Sequence, residues 1–266
     1  MNQNKTYPSI AQCFGIVGII ILSTIVFSPL TFLHIDWLTK ELANFLMYTL
    51  GMGLSLAIIH KMRKARTGVE NYPIQFNEIL IFIPLLIATI SLQLGVTVPL
   101  TSLIPMPDFF KQIFLEMGSQ TGLFAFLTIA IAAPLIEEII FRGVILDGLL
   151  NRYEPIKAIL ISSFFFGIVH LNPWQFITAM LIGSFAGWVY WRTRNLTFTI
   201  FIHFANNCFA FIWMSKTNME EMLDMSAVDL YGGLTMTTLI IGGCILLFLI
   251  SIYWLDKIMS KNTIDS

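Results

Sequence analysis

Charge is scarce in this 266-residue chain. Asp, Glu, Lys and Arg make up 12% of it, about half the share that a soluble globular domain carries. With 56% hydrophobic residues, that scarcity excludes an ordinary soluble domain, whose surface needs charge. Cysteine is scarce as well. Cys13, Cys208 and Cys244 lie in apolar segments with neither metal-ligand nor redox spacing, and read as small buried hydrophobes. The helical zinc signature His-Glu-x-x-His does not occur. No internal repeat stands out of the kind that transporters build from paired halves. The first apolar run, residues 10–33, exceeds a signal-peptide core and no clean small-x-small site follows it, so it is expected to be a first spanning helix.

What the chain has instead is apolar blocks of spanning length. A transmembrane helix needs ~20 mostly apolar residues. Blocks of that kind fall at 10–33, 41–60, 78–100, 119–150, 156–172, 174–191, 196–214 and 232–254. The expected fold is therefore all-α, a polytopic transmembrane bundle of about eight spanning helices. The fifth and sixth blocks are short and meet at Asn172-Pro173, which reads as a tight hairpin or a partly re-entrant segment. Residues 105–118 read as an interfacial linker with a short amphipathic helix. Three regions follow: 1–118, N-terminal helices and linker; 119–215, a core; 216–266, an outer loop and last helix.

Orientation follows from Lys and Arg. With eight spans and the N-terminus inside, Lys40, Lys111 and Lys216 face out, and the other twelve of the fifteen, Lys5 and Lys261 among them, face in or lie at the inner helix ends. A cell-membrane protein with both termini in the cytoplasm is expected. The basic stretch Lys61, Arg63, Lys64 and Arg66 is read as a loop that sets topology. Trp174, Trp188, Tyr190 and Trp191 are read as markers of the membrane interfaces.

Against this background the run 133–145, Ala-Pro-Leu-Ile-Glu-Glu-Ile-Ile-Phe-Arg-Gly-Val-Ile, needs an explanation. Even the mildest scale charges ~2.5–3.5 kcal/mol for one ionised group at bilayer depth. Glu138 and Arg142 are four apart, in the favoured order for an ion pair on one helix face, and pairing makes burial of both less costly. Glu137 stands about 100° round the helix and presents a separate face. The plain alternative is a solvated helix end at the membrane surface. Pro134, one turn earlier, removes a backbone donor and loosens the helix locally.

Two later segments each offer a polar face. Phe166 and His170 are four apart, as are His203 and Asn207. Taken singly, the histidine is a locally satisfied side chain and the asparagine a helix–helix hydrogen bond. Taken together, a carboxylate pair, two imidazoles and an amide can activate water and polarise a carbonyl. The same set could ligate zinc through Glu137, His170 and His203, with a position left open.

Glu137-Glu138-x-x-x-Arg142, Phe166-x-x-x-His170 and His203-x-x-x-Asn207, in that order, resemble the three signature motifs of the CPBP (Abi) intramembrane endopeptidases. That family includes the type II CAAX prenyl endopeptidase. The resemblance covers roughly residues 120–215. It implies an intramembrane peptidase in which Glu137 is the base that activates water, helped by His170. It further implies that His203 and Asn207 stabilise the oxyanion while Glu138 and Arg142 position the site. Nothing in the chain reads a prenyl group, so the family name does not dictate the substrate. The expected partners are a peptide or membrane-protein substrate and the lipid bilayer, without nucleic acid. No cofactor is needed by a glutamate mechanism; zinc is the alternative. Two other functions compete: a non-proteolytic bacteriocin-immunity or regulatory binding protein, and a transporter or proton relay.

Overall fold

The computed structural model describes residues 6–76 and 78–262, side chains 261 and 262 aside. Lys5 and the Lys261 side chain, both counted above for orientation, lie outside the described residues. Within them the chain is all-helical. The helices are α1 (Ile10–Phe27, extended by a 3-10 turn, Ser28–Phe32), α2 (Lys40–Thr67), α3 (Ile79–Thr101), α4 (Asp108–Gly118), α5 (Leu123–Leu150), α6 (Pro155–Ile168), α7 (Pro173–Thr193), α8 (Leu196–Lys216), α9 (Met219–Met222), α10 (Ala227–Leu230) and α11 (Leu234–Asn262). Six of these are long and apolar enough to cross a membrane: α1 with its extension, α2, α3, α5, α8 and α11. The protein is a multi-pass membrane bundle.

Six replaces the expected eight for a local reason. The block at 156–172 yields a helix of 14 residues, about 21 Å long and short of a ~30 Å hydrocarbon core. The block at 174–191 yields a 21-residue helix interrupted by polar residues, among them Gln175, Thr178 and Ser184. The two pack side by side as a hairpin. Asn172 caps α7 by accepting from the Gln175 N–H at 2.9 Å, and Pro173 sits where a missing N–H does no harm. Leu171 takes a left-handed backbone, φ 57°, a strained choice for a branched side chain, immediately after His170.

The basic stretch 61–66 is helix rather than loop. α2 runs to Thr67 and stops at Gly68 with φ 74°, where glycine adopts the left-handed cap without penalty. The cations then lie on the last turns, against the negative end of the helix dipole. Arg63 is buried: Nη1 donates to the Asn71 carbonyl at 3.2 Å and the guanidinium lies over the Tyr72 ring. Lys64 pairs with Glu70 at the surface, and that pairing lowers the Glu70 carboxyl below its ordinary value.

The chain divides into two units. The first comprises residues up to Gln75 together with Gly122–His203. In it α1 lies along α2, and a Cβ on Gly51 of α2 would stand 3.1 Å from Thr24 Cα of α1. Phe14 of α1 meets Phe165 of α6 edge-on, 4.9 Å between centroids. The segment after α2 is held to the start of α8. Leu196 N–H donates to the Pro73 carbonyl at 2.7 Å. Asn195 donates to the Gln75 carbonyl at 2.8 Å and accepts its N–H at 3.1 Å.

The second unit comprises Phe76–Thr121 and Phe204–Ser266. There α3 lies against α11 so closely that a Cβ on Gly95 would overlap Cys244 Cβ. Tyr231 donates to the Leu94 carbonyl at 2.6 Å, and Lys111 of α4 pairs with Asp224. Residues 108–118 form the short helix expected in the linker.

α5 carries the run 133–145 and is not uniform. Leu127–Ala132 and Phe141–Leu146 are wound as π-helix, flanking eight residues of α-helix, Ala133–Ile140. Pro134 has no N–H for the Ala130 carbonyl, so the first wide turn lies where the α ladder is already broken. Pro99 bears the same relation to the π turn Gln93–Thr97 in α3. At the second wide turn of α5, Ser162 of α6 donates to the Phe141 carbonyl at 2.9 Å.

The close α1–α2 approach is directly testable. Gly51→Leu forces these helices apart and should cost about 1–3 kcal/mol, read as a lower unfolding midpoint in detergent. An unchanged midpoint would show that the approach is loose.

Candidate active site

The short α segment between the two π turns presents Glu137 and Glu138 to different neighbours. Glu138 is buried, with 1% of its side chain exposed, as is Arg142. Arg142 Nη1 donates to Glu138 Oε1 at 2.8 Å. The same oxygen accepts from His203 Nδ1 of α8 at 3.0 Å. One carboxylate oxygen therefore ties together one turn of α5 and a second helix. Burying this group is costly, and the two donors offset the cost; removing either leaves a charge with too few partners.

The guanidinium is also caged. Its Cζ lies 4.5 Å from the centroid of the Phe166 ring. On the α7 side a Cβ on Gly183 would stand 3.0 Å from Arg142 Nη2 and 3.2 Å from Phe166 Cδ1. Glycine at 183 is what leaves room for the guanidinium. Gly187, one turn on, lies against Ile159 and Leu146 in the same manner. Together the two glycines let α7 approach both α5 and α6.

Glu137 is buried but differently held. Tyr48 of α2 donates its phenol to Glu137 Oε1 at 2.6 Å, the length of a charge-assisted O–H···O⁻ bond. The other oxygen, Oε2, lies 3.9 Å from His203 Nε2, too far for a direct hydrogen bond. His203 thus presents one nitrogen to each glutamate: Nδ1–H to Glu138 and Nε2 towards Glu137. In the neutral ring Nε2 is then the basic nitrogen; when charged, it is a donor.

Phe166 is the hub between the imidazoles. Its ring meets that of His170 edge-on at 5.3 Å and that of His203 at 5.4 Å. His170 donates from Nδ1 to the Phe166 carbonyl at 2.9 Å, which fixes the ring and leaves Nε2 as its basic nitrogen. The first unit therefore gathers Glu137, Glu138, Arg142, His203 and the Phe166–His170 pair. Asn207 belongs to the second unit, one turn beyond His203 on α8, where its Oδ1 accepts from the Asn206 amide at 3.1 Å.

Sequence reasoning passed over Tyr48 and Gly183's part in the site. Tyr48 left a signal, since it lies thirteen residues before Lys61, roughly 20 Å along the helix, just as Glu137 lies thirteen residues before Leu150 at the end of α5. Tyr190, expected at the membrane interface, instead has a buried side chain whose hydroxyl donates to Asp147 at 3.1 Å. A buried phenol needs an acceptor.

Among the described residues no group of three His, Cys, Asp or Glu side chains is arranged to hold a metal ion. No step below runs through a metal.

Residues 119–209 match the family model described as type II CAAX prenyl endopeptidase Rce1-like. The expected resemblance is borne out over that Rce1-like segment, which includes all six site candidates. Two curated relatives also match. "Putative membrane peptidase YdiL" of Bacillus subtilis (strain 168) is 33% identical over 117 residues, 44% of this chain and 45% of that protein. "UPF0177 protein YxdF" of Lactococcus lactis subsp. lactis (strain IL1403) is 30% identical over 82 residues, 30% of this chain and 45% of that protein. Each match thus spans less than half of the relative's length. No solved structure matches the chain.

The ion pair gives a stability prediction. Arg142→Met should cost about 3–5 kcal/mol by stranding the Glu138 charge, and adding Glu138→Gln should recover a large part of that loss. Unfolding midpoints of the single and double variants in one detergent would read this. A double variant no more stable than Arg142→Met would contradict it.

Proposed function

We propose that this protein is an intramembrane endopeptidase in which Glu137 activates the attacking water. The observation that carries the reading is the division of labour between the adjacent glutamates. Glu138 is occupied by Arg142 and His203. Glu137 is held through one oxygen and has the other turned towards an imidazole nitrogen across a 3.9 Å gap. The Rce1-like match over the same residues supports the reaction class.

The chemistry follows from those positions. Glu137 accepts a proton from water as the water oxygen attacks the scissile carbonyl carbon. The carbonyl oxygen becomes an oxyanion and accepts a hydrogen bond from His203 Nε2–H. Glu138 orients His203 for this by accepting from its Nδ1. The C–N bond then breaks, and the proton taken by Glu137 goes to the leaving amine. His170, with its basic Nε2, assists in ordering the water. Arg142 holds Glu138 and does not touch the substrate.

The substrate is a peptide bond of a membrane-associated protein or tethered peptide. The excess of Lys and Arg on one side puts both termini in the cytoplasm, with the site opening there.

Purified protein in nanodiscs, incubated with membrane-tethered and prenylated peptides, tests this. Wild type should cut at least one of them. Glu137→Ala and His203→Ala should each lower the rate by ~10²-fold or more, and a chelator should leave the wild-type rate unchanged. Cutting by Glu137→Ala at the wild-type rate would overturn the assignment. A chelator-abolished rate restored by zinc would overturn the glutamate-only mechanism.

A further inference from the structure

Tyr48 stands outside the Rce1-like segment, on a helix that carries none of the three motifs, yet its phenol is bonded to the carboxylate on which the proposed chemistry turns. Resting on the peptidase reading, we infer that Tyr48 is a positioning residue of the site. It fixes Glu137 Oε1 so that Oε2 points at the water and at His203.

A glutamate needs such a partner. Its last torsion is broad and roughly two-fold, so the side chain alone does not choose which way its oxygens face. A single strong donor to one oxygen sets the plane and direction of the other. Glu138 has two donors on one oxygen, whereas Tyr48 donates to Glu137 from a different helix.

α2 is itself held against α5 where this matters. Glu41, two turns before Tyr48 and on the same face, accepts the Gly122 N–H at 2.9 Å, where α5 begins. Between them Phe45 meets Phe124 with 5.8 Å between centroids. These contacts fix α2 along the catalytic helix and bring the phenol to the carboxylate. The N-terminal helices are thus part of the catalytic unit rather than an anchor for it.

A bland reading exists: a buried phenol takes whatever acceptor is near, as Tyr190 takes Asp147. The two readings differ in what the hydroxyl does for turnover. Tyr48→Phe removes one oxygen and keeps the ring; Tyr48→Leu removes both. Both are assayed against the tethered peptide that the wild type cuts, with unfolding midpoints measured alongside. If Tyr48 positions Glu137, Tyr48→Phe lowers kcat by roughly 10- to 100-fold with KM within about twofold, and Tyr48→Leu is no better. If Tyr48 only packs, Tyr48→Phe turns over like wild type and Tyr48→Leu alone is impaired, which overturns the inference. A raised KM with unchanged kcat also overturns it, because substrate binding rather than Glu137 would then be the target. A wild type that cuts nothing, while Tyr48→Phe and wild type unfold alike, sinks the peptidase reading itself and this inference with it. That result is distinct from a working enzyme indifferent to the hydroxyl.

Discussion

One carboxylate oxygen, Glu138 Oε1, accepts from both Arg142 and His203, and the arrangement of the site depends on it. In an apolar interior a lone glutamate is costly. Two donors make it tolerable, and in doing so they lock a turn of α5 to α8. The consequences extend outwards. A guanidinium at this depth needs a ring beneath it and an absent side chain beside it, which Phe166 and Gly183 supply. His203, held at Nδ1, has only Nε2 left to offer. Glu137, next in sequence, stays out of that ion pair and accepts from Tyr48 of α2 instead.

The backbone of α5 is shaped to the same end. Adjacent residues on a regular α-helix differ by about 100°, so adjacent glutamates cannot serve one site unless their neighbours come from different directions. Here α8 and α2 do so. The π turns on either side of the glutamates lie where Pro134 breaks the regular ladder and where Ser162 takes up a carbonyl. Irregular backbone of this kind is common at functional sites because it re-aims side chains without ending the helix.

Much of this was legible in the sequence, and the failures have physical causes. The all-helical class followed from apolar block length, and the Glu138–Arg142 pair from i, i+4 spacing. The span count fell from eight to six because hydropathy reads apolar content, and a 14-residue helix can be apolar without reaching across a bilayer. The loop expected at 61–66 was helix because long cationic side chains at a helix end need no break in the backbone. Tyr48 escaped because an isolated tyrosine in an apolar segment has no pattern; only its depth marked it. The part of Gly183 escaped because what it approaches, the Arg142 guanidinium, is a tertiary fact no spacing encodes.

In the proposed mechanism the two adjacent glutamates have separate roles: Glu138 supports and Glu137 reacts. Glu137→Gln and Glu138→Gln compared side by side, for unfolding midpoint and for cleavage of a tethered peptide, test it most directly. Glu137→Gln should keep stability within about 1 kcal/mol of wild type while losing ~10²-fold or more in rate. Glu138→Gln should lose stability first and activity as a consequence. The reverse pattern, a destabilised Glu137→Gln that still cleaves beside a stable Glu138→Gln that does not, would contradict it.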